Sequence, residues 1–209
     1  MKKPFENISK NNVNRLLKIV DADTIILNEG TNISKTLIDN KSICIIVNGY
    51  IQIVRNTYSG NSAVIEELYE NDIIASSISY IQSNEYEMIA KEDTKVILID
   101  ENRLMNCEDN NKIYYNQFIK NLFLILNDKM KQKNERIQII TKKSIRDKLL
   151  EYFSINRRKS GSSNIYLPYN FTAFSDYLGV NRSALMRELK NLKDEGFIET
   201  KGSKITLLY

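Results

Sequence analysis

The chain has 209 residues and a formal net charge of +4, with 42% hydrophobic residues, enough for one large or two small domains that each bury a core. It holds no histidine and two cysteines, Cys44 and Cys107, which excludes His-based acid–base catalysis, Ser-His and Cys-His nucleophile pairs, imidazole ligation of zinc or haem, and a four-thiolate cluster built from one chain. The charge is uneven: residues 139–209 carry 13 Lys/Arg against 7 Asp/Glu, about +6, while residues 1–138 carry 17 against 19, about −2, an asymmetry suited to one domain meeting a polyanion.

The N-terminal stretch "MKKPFENISKNNVNRLLKIV" is basic, lacks the continuous apolar run of a signal peptide and fits a short helix. No 18 apolar residues run together, so the expectation is a cytoplasmic protein without a membrane partner. From about Ala22 to Asp100 the sequence reads as short strands: "TIILNEG", "ICIIVNGYIQIVRN", "AVIEELYENDII" and "YEMIAKEDTKVILID". Their regular spacing suggests an antiparallel sandwich or roll. Asn48-Gly49, between β-branched runs, predicts a two-residue hairpin. Cys44 sits in the apolar "ICIIV" and reads as a core residue. Cys107, in the polar "MNCEDN", has carboxylate neighbours that disfavour a reactive thiolate.

The segment "KIYYNQFIKNLFLILNDKMKQKNERIQII" changes period. Tyr115, Phe118, Leu122 and Ile125 form one apolar stripe, and Ile119, Phe123, Leu126 and Met130 an adjoining one. Together they make a face too broad for a lone surface helix. A second copy of the same helix would cover it, with Phe118, Ile119, Leu122, Phe123, Ile125, Leu126 and Met130 as the expected dimer interface; burial within one chain is the alternative.

From Ile139 the pattern becomes helix, loop, helix, helix, hairpin. Ile145, Leu149 and Phe153 mark the first helix, and Gly161 lies in the basic loop "SINRRKSGSSN". Asn170 suits an N-cap, Phe174, Tyr177 and Leu178 an apolar face, and Gly179 a stop. Asn181 then caps a further helix whose Leu185, Leu189 and Leu192 must face the core. Arg182, Ser183, Met186 and Arg187 fall on an arc that cannot be buried with them. Two short helices joined by a glycine turn, the second presenting a basic face, form a helix-turn-helix whose second helix fits the major groove; an amphipathic pair with a solvated face is the bland alternative. Arginine can donate two bonds to guanine O6 and N7 there. Lys190 and Lys193 are placed for phosphates or solvent. The strands expected at Phe197–Glu199 and Lys204–Leu208 make a basic wing able to touch the DNA backbone through Lys201 and Lys204.

The run "LPYNFTAFSDYLGVNRSALMRELKNLKDEGFIETKGSKITLLY" resembles the C-terminal winged helix of the Crp/Fnr transcription regulators. The resemblance covers nearly the whole chain: "TIILNEG" and "ICIIVNGYIQIVRN" are similar to the first strands of that family's cyclic-nucleotide-binding β-roll, and residues 113–136 sit where it has its dimerisation helix. It implies that Arg182, Ser183 and Arg187 read bases, while Asn170, Thr172, Asn181, Lys190, Lys201 and Lys204 are the expected backbone contacts. The cyclic-AMP receptor branch has a Glu where Ser183 stands, so that branch's half-site does not transfer.

Members that bind cyclic nucleotides have Gly-Glu and Arg-Ser or Arg-Thr in the pocket segment. Here "NDIIASSISYIQSNEYEMIAKED" has Ala75-Ser76 and Asn84-Glu85-Tyr86 at those places, and no arginine occurs from Asn56 to Asn102. Glu85 and Glu87 would repel a phosphate. Cyclic-AMP regulation is therefore not expected; Ser76, Ser77, Ser79 and Tyr86 are the candidate lining of a pocket for another, unidentified effector, and regulation by abundance without an effector is the other route.

The expected fold is α+β: an antiparallel β-roll domain over 1–108, a long dimerisation helix over 109–138 and a winged helix-turn-helix over 139–209. The expected function is a non-enzymatic, homodimeric, sequence-specific regulator on an inverted-repeat operator, with double-stranded DNA and RNA polymerase as partners and neither cofactor nor metal. The competing reading is a catalytic or partner-binding domain fused to a nucleic-acid anchor; carboxylates such as Glu66 and Glu67 point to opposite faces of a strand, so at most one could serve a site.

Overall fold

The computed structural model describes residues 3–56, 62–75, 85–167 and 170–209. The chain divides into two compact units, Met1–Asp128 and Lys129–Tyr209.

In the first unit, α1 (Lys10–Ile19) is capped by Ser9 and is followed by β1 (Asp23–Leu27), α2 (Ser34–Asp39), β2 (Ser42–Asn48), β3 (Ile51–Asn56), β4 (Ser62–Leu68), β5 (Ile73–Ala75), β6 (Tyr86–Ala90), β7 (Thr94–Asp100) and α3 (Glu101–Met105). The long α4 (Ile113–Ile140) starts here and ends in the second unit. The described strands form two antiparallel sheets, β1-β7-β2-β5 and β4-β3-β6. Between them lies a core containing Cys44, Ile46, Ile51, Ile53, Leu68, Met88, Val96 and Leu98. A second core covers the other face of the first sheet, where Ile43, Ile45, Ile97 and Ile99 meet Leu16 and Val20 of α1 and Tyr115, Phe118, Leu122 and Ile125 of α4. Because β2 is covered on both faces, its run is uniformly apolar rather than alternating.

The Asn48-Gly49 expectation needs correction. β2 pairs with β5 and β7, β3 with β4 and β6, so these residues carry the chain from one sheet to the other instead of closing a hairpin. Gly49 has φ 104°, and a Cβ there would stand 2.7 Å from the Thr94 Cα. The glycine lets two backbones approach so closely that the Thr94 hydroxyl accepts from the Tyr50 amide at 3.1 Å.

The expected dimer face is also narrowed. Phe118, Leu122 and Ile125 are buried in the chain's own core, so they do not await a partner. Phe5 stacks on Phe118 with ring centroids 5.3 Å apart. The buried Asn121 donates to the backbone oxygens of Pro4 and Glu6 at 2.9 and 2.8 Å and accepts from Gln117, which ties the N-terminal segment along α4. Ile119 and Leu126 are half-buried at the edge of that core, whereas Phe123 is 62% and Met130 64% exposed.

The second unit holds the end of α4, then α5 (Ile145–Ser160), β8 (Asn164–Tyr166), α6 (Phe171–Leu178), α7 (Arg182–Asp194), β9 (Ile198–Lys201) and β10 (Lys204–Leu207). Its core joins Ile139, Leu149, Tyr152, Phe153, Phe174 and Leu178 to Leu185, Leu189 and Leu192 of α7 and to Ile165, Ile198, Ile205 and Leu207 of the sheet. That sheet has the order β8-β10-β9; the strand β8 was not expected, being only three residues long beside a serine-rich loop. Arg146 of α5 binds Glu188 of α7 at 2.7 Å and also pairs with Glu195 just beyond it, locking α7 to α5.

Two consequences are measurable. Gly49→Ala lowers stability by about 2–4 kcal/mol in urea unfolding, whereas Gly30→Ala, at φ 84° in open space, costs about 1 kcal/mol. The Arg146 guanidinium holds the Glu195 carboxyl below its usual 4.5. A carboxylate depressed in the folded state stabilises above the usual carboxylate range, and that contribution is lost as pH falls through the depressed value. The Tm difference between the wild type and Glu195→Gln is thus largest at neutral pH and shrinks below pH 4.5.

Candidate nucleic-acid interface

The site is built on α6, the turn and α7. Asn170 caps α6 by accepting from the Ala173 amide at 2.9 Å. The helix ends at Gly179, whose φ of 61° places it in the left-handed region, and amides of Gly179 and Val180 return to the carbonyls of Asp176 and Ser175 at 3.1 and 3.0 Å. Two cations complement the negative end of α6: Lys148 donates to the Leu178 carbonyl at 3.0 Å, and Arg136 to the Tyr177 carbonyl at 3.3 Å, its guanidinium 5.4 Å from the Tyr177 ring centroid. The turn is therefore fixed from both sides.

Asn181 opens α7, its Oδ1 accepting from the Ser183 amide at 2.9 Å. Leu185, Leu189 and Leu192 are buried, and this rotation of the helix leaves Arg182, Ser183, Met186 and Arg187 exposed together. Neither Arg182 nor Arg187 pairs with an acceptor among the described residues. Glu188, the carboxylate beside Arg187, is held by Arg146 and also accepts from Asn191 at 3.2 Å, so its charge is balanced next to the arginine face. Thr172 and Lys190 are exposed, as are Asn170 and Asn181. The two asparagines use Oδ1 in capping, which leaves their amide groups to donate to a phosphate oxygen. Lys201 and Lys204 sit opposite one another across the β9–β10 turn.

The sensor candidates fare differently. Ser76, Ser77 and Ser79 lie outside the described residues. Tyr86 is half-buried, with the Arg55 guanidinium 5.8 Å from its ring centroid. Arg55 binds Glu85 at 2.9 Å, so the repulsion expected of Glu85 is largely neutralised. Cys44 is fully buried, and burial pushes its thiol up to about 12. The polar setting expected for Cys107 is corrected: its side chain is buried in the core beside α4. No group of residues able to hold a metal occurs among the described residues, and no described helix is long and apolar enough to cross a membrane. Sequence reasoning missed the Arg146 bridge, because a partner 42 positions away leaves no local signal.

No family model matches the sequence, and no curated protein matches it. Solved structures do. CprK complexed with OCPA is similar at a TM-score of 0.68 and 16% identity, covering 93% of this chain and 91% of that one. A CooA variant from Carboxydothermus hydrogenoformans follows at 0.59 and 16%, covering 91% and 85%. The c-di-GMP-responsive global regulator CLP of Xanthomonas campestris gives 0.53 and 12%, covering 95% and 99%. The β-roll, the long helix and the winged helix-turn-helix occur here in that order, and the fold of this chain is the fold of the Crp/Fnr regulators.

Proposed function

We propose that the protein is a homodimeric, sequence-specific DNA-binding transcription regulator and not an enzyme. The observation that carries this reading is the joint exposure of Arg182, Ser183 and Arg187 on the first turns of a helix whose opposite face is fixed in the core. Arg182 and Arg187 act as two-pronged donors to base edges, and Ser183 as a short, adaptable one. Asn170, Thr172, Asn181, Lys190, Lys201 and Lys204 set the register by touching phosphates.

Dimerisation supplies the second reading head. Ile119, Phe123, Leu126 and Met130 are spaced by 4, 3 and 4, and the same spacing continues through Lys133, Ile137 and Ile140. Phe123, Met130, Ile137 and Ile140 are all exposed in the single chain. A second copy that buries such a heptad stripe places two α7 helices in successive major grooves about 34 Å apart, hence an inverted-repeat operator.

The signal is not cyclic AMP, since no arginine lies between Asn56 and Asn102 and Arg55 is bound to Glu85; an unidentified small molecule or the abundance of the protein sets its activity. An effector acts only by preferring one arrangement of the dimer over another. RNA polymerase is the protein partner in a cytoplasmic setting, with the basic segment Ser154–Asn164 as one candidate contact. Against catalysis stands the state of Glu67: it accepts from the hydroxyls of Tyr50 and Tyr69 at 2.5 and 3.1 Å, and the Tyr50 bond holds its carboxyl below the usual range. It is an ionised, tied group rather than a proton donor.

Sequencing of DNA fragments bound in cells supplies the operator; fragments without a shared inverted repeat contradict the proposal. In a mobility-shift titration, Arg187→Ala weakens operator binding by about 1–3 kcal/mol and relaxes choice at one base pair; equal affinity for operator and scrambled duplex in the wild type counts against sequence reading. Phe123→Glu yields monomers in sedimentation, and a variant that remains dimeric removes the helix seam from the proposal.

A further inference from the structure

The three-stranded sheet of the second unit buries one face and exposes the other. Ile165, Ile198, Ile205 and Leu207 are packed into the core, so the residues alternating with them face outward. In register, Lys204 of β10 stands opposite Tyr166 of β8 on one side and Lys201 of β9 on the other. The three side chains therefore form one row across the end of the sheet, about 10 Å wide at the usual strand spacing. Tyr166 is 68% exposed, a large aromatic group with a donor hydroxyl at its tip. The next row, Asn164, Thr206 and Glu199, is polar, and Thr206 donates to Asn164 at 3.0 Å. Glu199 confines the positive field to the row nearest the turn.

The position of this row matters as much as its chemistry. Leu167 follows Tyr166 and its amide is pinned to the Ser203 carbonyl of the wing turn at 2.9 Å. Only residues 168 and 169 then separate it from Asn170, the cap of α6. Tyr166 is thus linked to both sets of expected phosphate contacts, to the wing lysines by strand pairing with Lys204 and to the start of α6 four positions on in the chain.

We infer that Tyr166 is a DNA-backbone contact: with Lys201 and Lys204 it forms a strip across the wing that follows the duplex beside the half-site, the lysines neutralising phosphates and the tyrosine hydroxyl donating to one. The occupant is double-stranded DNA because the row carries two cations and no carboxylate, on the domain that holds the net positive charge. A row of that width is long enough to reach two neighbouring phosphates of one strand. This strip sets affinity without reading sequence, and the inference rests on the DNA-binding function proposed above.

The test is fluorescence anisotropy of the full chain with a labelled random-sequence duplex over about 50–200 mM salt, with thermal melts confirming that each variant is folded. Tyr166→Phe and Tyr166→Ala each weaken binding about tenfold and leave the slope of affinity against salt unchanged, because a neutral donor displaces no counterion. Lys204→Ala reduces the slope by about one. Salt-dependent wild-type binding that both tyrosine variants reproduce in full overturns the inference and leaves the DNA-binding reading intact. A weakened Tyr166→Ala beside an unaffected Tyr166→Phe overturns the phosphate hydrogen bond. Tighter binding to single-stranded RNA than to duplex overturns the choice of occupant, and absence of any wild-type binding removes the reading and the inference together.

Discussion

The burial of three leucines on α7 is the constraint on which the functional surface depends. Leu185, Leu189 and Leu192 are 0–4% exposed, and each fully buried side chain of this kind contributes about 1.5–3 kcal/mol. Rotating the helix to hide an arginine would uncover that stripe and bury a charge without a partner, each costing several kcal/mol. The rotation of α7 about its axis is thereby settled by hydrophobic packing, and the exposure of Arg182, Ser183 and Arg187 together follows from it. Arg146, Lys148 and Arg136 add direction: each ties a neighbouring helix to an end or flank of the α6–α7 pair.

The same economy governs α4, where two apolar stripes meet different needs. Tyr115, Phe118, Leu122 and Ile125 close the core of the β-roll. The adjoining stripe carries the exposed Phe123 and Met130. A helix bearing both stripes links the first sheet to the surface that would pair two chains, because neither stripe can shift without moving the other.

Much of this was legible in the sequence, for reasons that can be traced. The caps Asn170 and Asn181 and the stop at Gly179 are local devices, decided by residues within four positions, and they stand where the spacing puts them. The leucine stripe of α7 is a periodicity and equally local. The Asn48-Gly49 turn misled because its hairpin signal is local too, whereas the path of the chain there is set by Thr94, 45 positions on. Cys107 misled through its polar neighbours: a residue's flanks do not report which way its own side chain turns. Phe118, Leu122 and Ile125 show a related limit, since periodicity says that a stripe is buried but not by whom. β8 was missed because three residues carry too short an alternation to stand out, and with it went Tyr166. The serines 76, 77 and 79 lie outside the described residues, and the effector reading rests on sequence.

The strap at the start of the chain sets an order of events during synthesis. Pro4 and Glu6 lie 117 and 115 positions from the Asn121 amide that holds them, and Phe5 is stacked on Phe118. At ribosomal elongation of about 5–20 residues per second, these early residues wait roughly 6–25 seconds before their docking surface has been made. Residues made more than a hundred positions before their docking surface are thus among the last of the first unit to find their place. Until α4 is made, the face of the first sheet that carries Ile43, Ile45, Ile97 and Ile99 also lacks the cover of Tyr115, Phe118, Leu122 and Ile125.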